Sequence, residues 1–467
     1  MMLGTDRERT PGFRLGLAIF VGMLLTVPLF SIYLLNYDRQ SQMREARDSI
    51  TAGWGGPQAL SGPVLVIPYR ATATETVVEN GKSVTRNRDI ARELTLAPET
   101  VDLTTDVGSQ VRKRSIYKAV VYDAHTRGRA RFAFPPDLAR NGVELAQMDL
   151  TRAELRFGLS DPRGLGANPR VSAGGQPLRL QPGGGSGRGR GFFAWIDASG
   201  LQSRPFTIDF AYEFRGNEAL SLAPQAGETR WTVRSSWPSP SFGGDFLPTG
   251  RMVDPKGFTA SYRIGNLALG RTLVSTGDPG AAPAPTSLSR DNSYASPPAA
   301  DTGGSLQTAA INLIQPVDLY SQVNRATKYG FLFIGFTFLA LLMFDVIGGV
   351  RVSAVEYLLM GAALVLFFVL LLAFAEVIGF TPAYILASAA ISGLNTAYSA
   401  AVLRSWRRAA FIGSLLVGLY AVLYILLSLE AYSLLIGSLL IFAALAGVMY
   451  ATRRIDWGAR RETPPAA

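Results

Sequence analysis

Cysteine is absent from this chain of 467 residues, and histidine occurs once, at His125. Without thiols there is no disulfide, no thiolate metal centre and no cysteine nucleophile. A single imidazole excludes a histidine-cluster metal site and a two-histidine proton relay. Charge is scarce as well. Only 17% of residues are Asp, Glu, Lys or Arg, against about 25% in soluble domains, and that shortfall assigns part of the chain to lipid. The formal charge is +10. Many of the arginines sit beside apolar runs, as the positive-inside rule requires. A nucleic-acid reader would instead want a basic stripe with stacking aromatics, so nucleic acid is not an expected partner.

What the chain has in abundance is long apolar sequence at its two ends. The first run, Phe13 to Leu35, meets the length of about 20 residues needed to cross a bilayer. It closes on Ile32, Tyr33, Leu34 and Leu35 rather than on the small residues of a cleavage site, which favours an uncleaved anchor over a signal peptide. The second block divides at its charges into candidate spans 329–349, 355–375, 378–402, 410–428 and 431–451. Its breaks alternate in kind. Arg351, the trio Arg404, Arg407 and Arg408, and the tail arginines mark one side, while the breaks at Glu376 and Glu430 carry no basic residue. Lys and Arg near span ends mark the cytoplasmic side. One assignment satisfies every break: six transmembrane helices, one N-terminal and five C-terminal, with both termini cytoplasmic. Residues 1–12 and 453–467 are then cytoplasmic, 13–36 the anchor, 37–327 a periplasmic domain and 328–452 a five-helix membrane domain.

The segment outside begins with a stalk helix, where opposed charges at helical spacing fill 37–50. Beyond it the pattern turns to strands at 62–69, 74–87, 116–134, 152–160, 205–214 and 229–237. Asn80-Gly81, between β-branched residues, predicts a two-residue hairpin. Many strands with Gly- and Pro-bearing turns imply a mainly antiparallel β domain, more sandwich-like than a closed barrel. The tract 182–191 reads as a flexible loop, and 276–305, dense in Ala, Pro, Ser and Gly, as a disordered insertion.

Several segments resemble the CreD family of bacterial inner-membrane proteins. They are the post-anchor stretch SITAGWGGPQALSGPVLVIPY at 49–69, FGGDFLP at 242–248, KGFTASYRI at 256–264, INLIQPVDLYSQVNRATKYGFLFIGFTFLALLMFDV at 311–346 and LSLEAYSLLIGSLLIFAALAGVMYATRRIDW at 427–457. Tyr262 stands where the family usually has Trp. The resemblance implies an inner-membrane protein associated with cell-envelope integrity, and it carries no catalytic residue with it.

The residues that invite a functional role are few. Trp54, Gly55, Gly56 and Pro57 suggest specific turns near the membrane, either as a structural junction or as a binding surface. Asp318 and Arg325 lie on the way into the membrane block. Asp345 falls inside a span, where an ionisable side chain is a functional candidate by default. No nucleophile elbow or phosphate-binding loop is present, and no catalytic, cofactor-binding or metal-ligating residue is expected. The reading that follows is a non-catalytic envelope protein. Its partners would be the lipid bilayer and an envelope component or membrane protein, with the oligomeric state open. A transporter or channel-like protein using the C-terminal bundle, with Asp345 on its path, is the alternative.

Overall fold

The computed structural model describes residues 11–79, 82–114, 117–186, 189–276, 306–313, 319–346, 353–428 and 433–453. The expected turn residues Asn80 and Gly81, nearly all of the 276–305 tract and Asp318 lie outside them. The described chain forms two compact units, one of residues 45–316 and one of residues 1–44 with 317–467.

Anchor and stalk are one helix, α1 (Pro11–Thr51), which carries Pro28 without interruption. The strands follow in chain order. First come β1 (Gln58–Glu79), β2 (Lys82–Leu96), β3 (Thr100–Arg114), β4 (Tyr117–Phe132), β5 (Ala153–Leu159), β6 (Arg170–Ala173), β7 (Gln176–Pro177) and β8 (Leu180–Gly184). Next are β9 (Arg190–Ile196), β10 (Phe206–Asn217), β11 (Ala219–Ala223), β12 (Glu228–Ser235), β13 (Pro240–Gly244), β14 (Gly250–Asp254) and β15 (Gly257–Gly265). A single turn of helix, α2 (Asn266–Leu269), precedes β16 (Val274–Ser275) and β17 (Ala309–Leu313).

These strands make two sheets. One runs β13-β17-β11-β1-β5-β9-β8, with β2 on β1 and β16 on β2; the other runs β14-β15-β12-β3-β4-β10-β6-β7. Pairing is antiparallel except at β1–β11 and β3–β12. Glu79 faces Lys82, so the β1–β2 connection holds the two residues that an Asn-Gly turn needs. Alternation sends one face of each strand inward. On β12 these are Thr229, Trp231 and Val233; on β10 they are Ile208, Phe210, Tyr212 and Phe214. Side chains of the two sheets meet in an aromatic cluster. Phe157 of β5 stacks on Phe192 of β9 at 5.0 Å between ring centroids and meets Phe210 of β10 edge-on at 5.4 Å. Such pairs add roughly 0.5–1.5 kcal/mol beyond their buried area. The unit is thus a two-sheet β sandwich.

The tract 182–191 departs from its expectation. Its described residues are not a free loop, because β8 and β9 pair antiparallel through Gly183↔Gly191 and Gly184↔Arg190. Glycine served there as a strand residue that lets backbones approach closely.

The second unit is helical. Besides residues 11–44 of α1 it contains α3 (Leu319–Lys328), α4 (Gly330–Val346), α5 (Ala354–Ile378), α6 (Phe380–Leu403), α7 (Trp406–Ser428) and α8 (Ser433–Thr452). Ser353 and Glu356 close a capping box at the start of α5, at 3.3 and 2.6 Å, which satisfies orphan N–H groups at the helix start. The breaks are tighter than the charges suggested. Only Gly379, at φ +84°, separates α5 from α6, so Glu376 belongs to the last turn of α5. α7 starts at Trp406 rather than Ala410, which puts Arg407 and Arg408 in its first turn. Among the described residues five helices are long and apolar enough to cross a membrane, and α8 adds a shorter apolar stretch, Gly437–Gly447.

Candidate functional site

The residues flagged at 54–57 converge on one place in the β unit. Leaving α1, the chain turns back as the Trp54 N–H bonds the Thr51 carbonyl at 2.8 Å. The Trp54 indole N–H donates to the carbonyl of Tyr122 on β4 at 3.1 Å. Two guanidiniums cover its ring, Arg112 at 3.8 Å and Arg215 at 4.6 Å from the centroid, an arrangement the ring quadrupole favours. Gly55 holds φ +117°, and a Cβ there would sit 2.9 Å from the Arg215 carbonyl oxygen. Backbone and space both demand glycine.

Downstream, a set of hydrogen bonds ties Gly56, Pro57 and Gln58 to the turn after β5. The Gly56 N–H donates to Asp161 Oδ2 at 2.9 Å, and the Pro57 carbonyl accepts from the Ser160 hydroxyl at 2.9 Å. Gln58 is fully buried. Its Nε2 donates to the carbonyls of Asp161 and Arg215 at 3.1 and 2.8 Å, and its Oε1 accepts from the Asp161 N–H at 3.3 Å. Asp161 caps the short turn Pro162–Gly164 and binds the Arg163 guanidinium at 2.8 Å. The Arg163 hydrogen bond, helped by the Gly56 N–H, holds the Asp161 carboxyl down at about 2 against the opposing effect of burial. Tyr122 is buried, its hydroxyl donating to the Ala219 carbonyl at 2.8 Å, and burial pushes its titration up. The arrangement is a latch that fastens the chain between α1 and β1 to β3, β4 and β10 of one sheet and to the turn after β5 of the other. It offers fixed hydrogen bonds, and its carboxylate is already engaged.

Gln58, Arg112, Tyr122, Ser160, Asp161 and Arg215 had no place in the reading of the sequence. Only Asp161-Pro162 signalled itself, as an N-cap with proline in the first turn. The other flagged residues belong to the chain that follows the β unit. Arg325 is half-buried on α3, in the helical unit. Asp345 is carried near the end of α4, with its side chain outside the described set. Asp318 also lies outside it.

His125 is exposed, with Nδ1 3.2 Å from Glu213. It lines an open cleft of about 500 Å³ with Asp106, Arg234, Asp254 and Lys256. Among the described residues no group of three His, Asp or Glu side chains is arranged to hold a metal ion. In the helical unit, α6 buries Tyr384, Ser392, Asn395 and Ser399 on one face. Of the small residues along this helix, Ala387 and Ser392 are buried, whereas Ala389, Ala390 and Gly393 are exposed.

A family model described as "Inner membrane protein CreD" matches residues 10–458. The chain belongs to the CreD family. Inner membrane protein CreD of Escherichia coli K12 is 30% identical over 439 residues, which cover 93% of this chain and 91% of that protein. Among solved structures, an M1 zinc metallopeptidase mutant from Deinococcus radiodurans matches 36% of this chain and 39% of its own at 12% identity. Its TM-score of 0.18 carries no inference about fold or activity. Family membership and the five apolar helices make this CreD-family chain a multi-pass inner-membrane protein with a large, mainly β domain.

Proposed function

We propose that the protein crosses the inner membrane six times with both termini in the cytoplasm. Its β domain then stands on the periplasmic side, where it binds or senses an envelope component without catalysing a reaction. The observation that carries this reading is the latch. A sandwich that merely trailed from an anchor would need only a linker, yet here the chain leaving α1 is fixed by Trp54 to Tyr122 and by Gly56 and Gln58 to residues more than a hundred positions away. A state of the sandwich can therefore reach the membrane helix. The orientation draws support from Arg39 Nε, which lies 4.0 Å from Glu376 Oε1. That contact gives Arg39, which stands just beyond the first span, a carboxylate partner at the end of α5.

The cysteine-free chain makes the topology directly testable. Thr5→Cys, Val253→Cys and Ala466→Cys each supply a unique thiol. An impermeant maleimide should label Val253→Cys in intact spheroplasts and the two terminal sites only after lysis. Labelling of either terminus in sealed cells rejects the arrangement. For the binding role, photocrosslinkers at the exposed positions Leu247 and Met252 should capture a reproducible envelope component in living cells. Recovery of uncrosslinked protein alone counts against it.

A further inference from the structure

On β9 the inward positions are Phe192, Ala194 and Ile196, all buried, and the outward positions carry Phe193 and Trp195. A solvated sheet face ordinarily places polar side chains there. Trp195 is 51% exposed, and among the described residues of the β unit no other aromatic side chain is exposed. The two rings meet edge-on, 5.6 Å between centroids with their planes at 83°, so they form a corner whose orientation is already set. Single apolar residues scattered over a surface are ordinary; here two aromatic rings stand together and ordered.

The neighbouring strand supplies charge. The register sets Glu154 of β5 opposite Trp195 and Arg156 opposite Phe193. Arg156 Nε donates to Glu154 Oε2 at 2.7 Å, and its Nη1 and Nη2 donate to Glu93 Oε2 and Oε1 on β2 at 3.2 and 3.0 Å. These charge-assisted bonds fix the guanidinium and use three of its five N–H groups. On the other flank β8 brings glycine. Gly183 stands at φ +141°, where a Cβ would lie 3.3 Å from Phe193 Cε1, and a Cβ on Gly184 would lie 3.8 Å from Arg156 Nε. The strand thus passes ring and guanidinium without laying a side chain on either.

The chemistry of this face narrows what it can hold. An anion would meet two carboxylates against one guanidinium. A cation offers no acceptor to the remaining N–H groups. An apolar side chain laid across the face would cut carboxylate and guanidinium off from water without replacing the lost hydrogen bonds. A sugar ring answers every demand: its C–H face is apolar, and the hydroxyls on its rim both donate and accept. We infer that this face of β5 and β9 binds a pyranose ring of a neutral glycan, which stacks on Trp195 and bonds through its hydroxyls to Glu93, Glu154 and Arg156. The inference rests on the proposed reading of the β domain as a binding domain and names its ligand class.

The test uses full-length protein in phosphatidylcholine nanodiscs, which avoid sugar-headed detergents, with cellotetraose and tetraacetylchitotetraose as probes. Saturation-transfer NMR should show binding of at least one of them, strongest at the ring C–H protons. Trp195→Ala should weaken it at least about tenfold, as loss of a tryptophan anchor does, and Trp195→Phe should restore part of it. Glu93→Gln should weaken it about threefold or more. Transfer to neither saccharide, or equal binding by the alanine variant, overturns the inference. So does Trp195-dependent binding of spermidine in place of both saccharides, which would make the corner a cation site. Trp195-dependent association of two copies without saccharide binding overturns it as well. Envelope capture at Leu247 or Met252 without saccharide binding overturns the sugar and leaves the proposed binding role standing. Unchanged amide-exchange protection of β5 in each variant reports an intact fold.

Discussion

At the scale of single residues, the latch concentrates stability in a few atoms. Asp161 titrates at about 2 when folded, below its ordinary 3.8, so the unfolded chain takes up this proton more readily. Its stabilisation is complete above about pH 4 and is lost as pH falls toward 2, an effect of about 2 kcal/mol. Asp161→Asn should remove that pH dependence and lower the stability of the β unit at pH 7 by about 1–3 kcal/mol. Denaturant titrations of both proteins at pH 7 and pH 3 measure it. A variant as stable as the parent at pH 7 would mean that the Gly56 and Arg163 contacts contribute nothing. Gly55→Ala meets both a left-handed backbone and the Arg215 carbonyl. It should cost about 2 kcal/mol or more, whereas Gly53→Ala, with nothing within 4 Å of the added carbon, should be nearly neutral. Equal melting temperatures for the two alanine variants would count against the steric account.

At the scale of elements, the strands that declared themselves are those with one face in the core. β5, β10 and β12 alternate cleanly, and periodicity reads that pattern directly. β11 was illegible because all five residues of Ala219–Ala223 are buried, so it has no polar face to alternate with. β17 hid behind the Ala/Pro/Ser/Gly tract, and β9 behind a run of glycines. Neither parallel pairing could be read, since β1–β11 and β3–β12 join segments more than a hundred residues apart. The same distance concealed the latch: the turn-forming residues at 54–57 stood out, but nothing local named Asp161 or Arg215 as their partners. Among the helices, α6 and α7 touch where Thr396 packs on Gly413, with no room for a Cβ at the glycine. Close approach through small residues drives helix association in lipid. Gly413→Leu should therefore separate the pair and lower the melting temperature in detergent. Asn395→Leu should be neutral or stabilising, because it removes an amide nitrogen buried without a hydrogen-bond partner among the described residues. A melting temperature sharply lowered by Asn395→Leu would show that the amide has a bound polar group in the native bilayer.

For the molecule as a whole, the division into two compact units predicts how it comes apart. The β unit is held by one continuous aromatic and aliphatic core and by ion pairs such as Arg156 with Glu93 and Glu154, at 3.0 and 2.7 Å. The helical unit relies on apolar helices whose backbone bonds are internal and have no water to compete for them. Acid acts on the first and has little to act on in the second. Hydrogen exchange in nanodiscs, followed from pH 5 to pH 2.5 with correction for intrinsic rates, should show β1 and β5 losing protection while α5 and α6 keep theirs. The loss should begin around the latch, because Asp161 gives up its stabilisation between about pH 4 and pH 2. Asp161→Asn should blunt the acid step at β1 and β5 and leave the helices unchanged. Simultaneous loss in strands and helices at one pH would show a single cooperative body. The division into independently stable units, and with it the view of the latch as a localised coupling, would then fail.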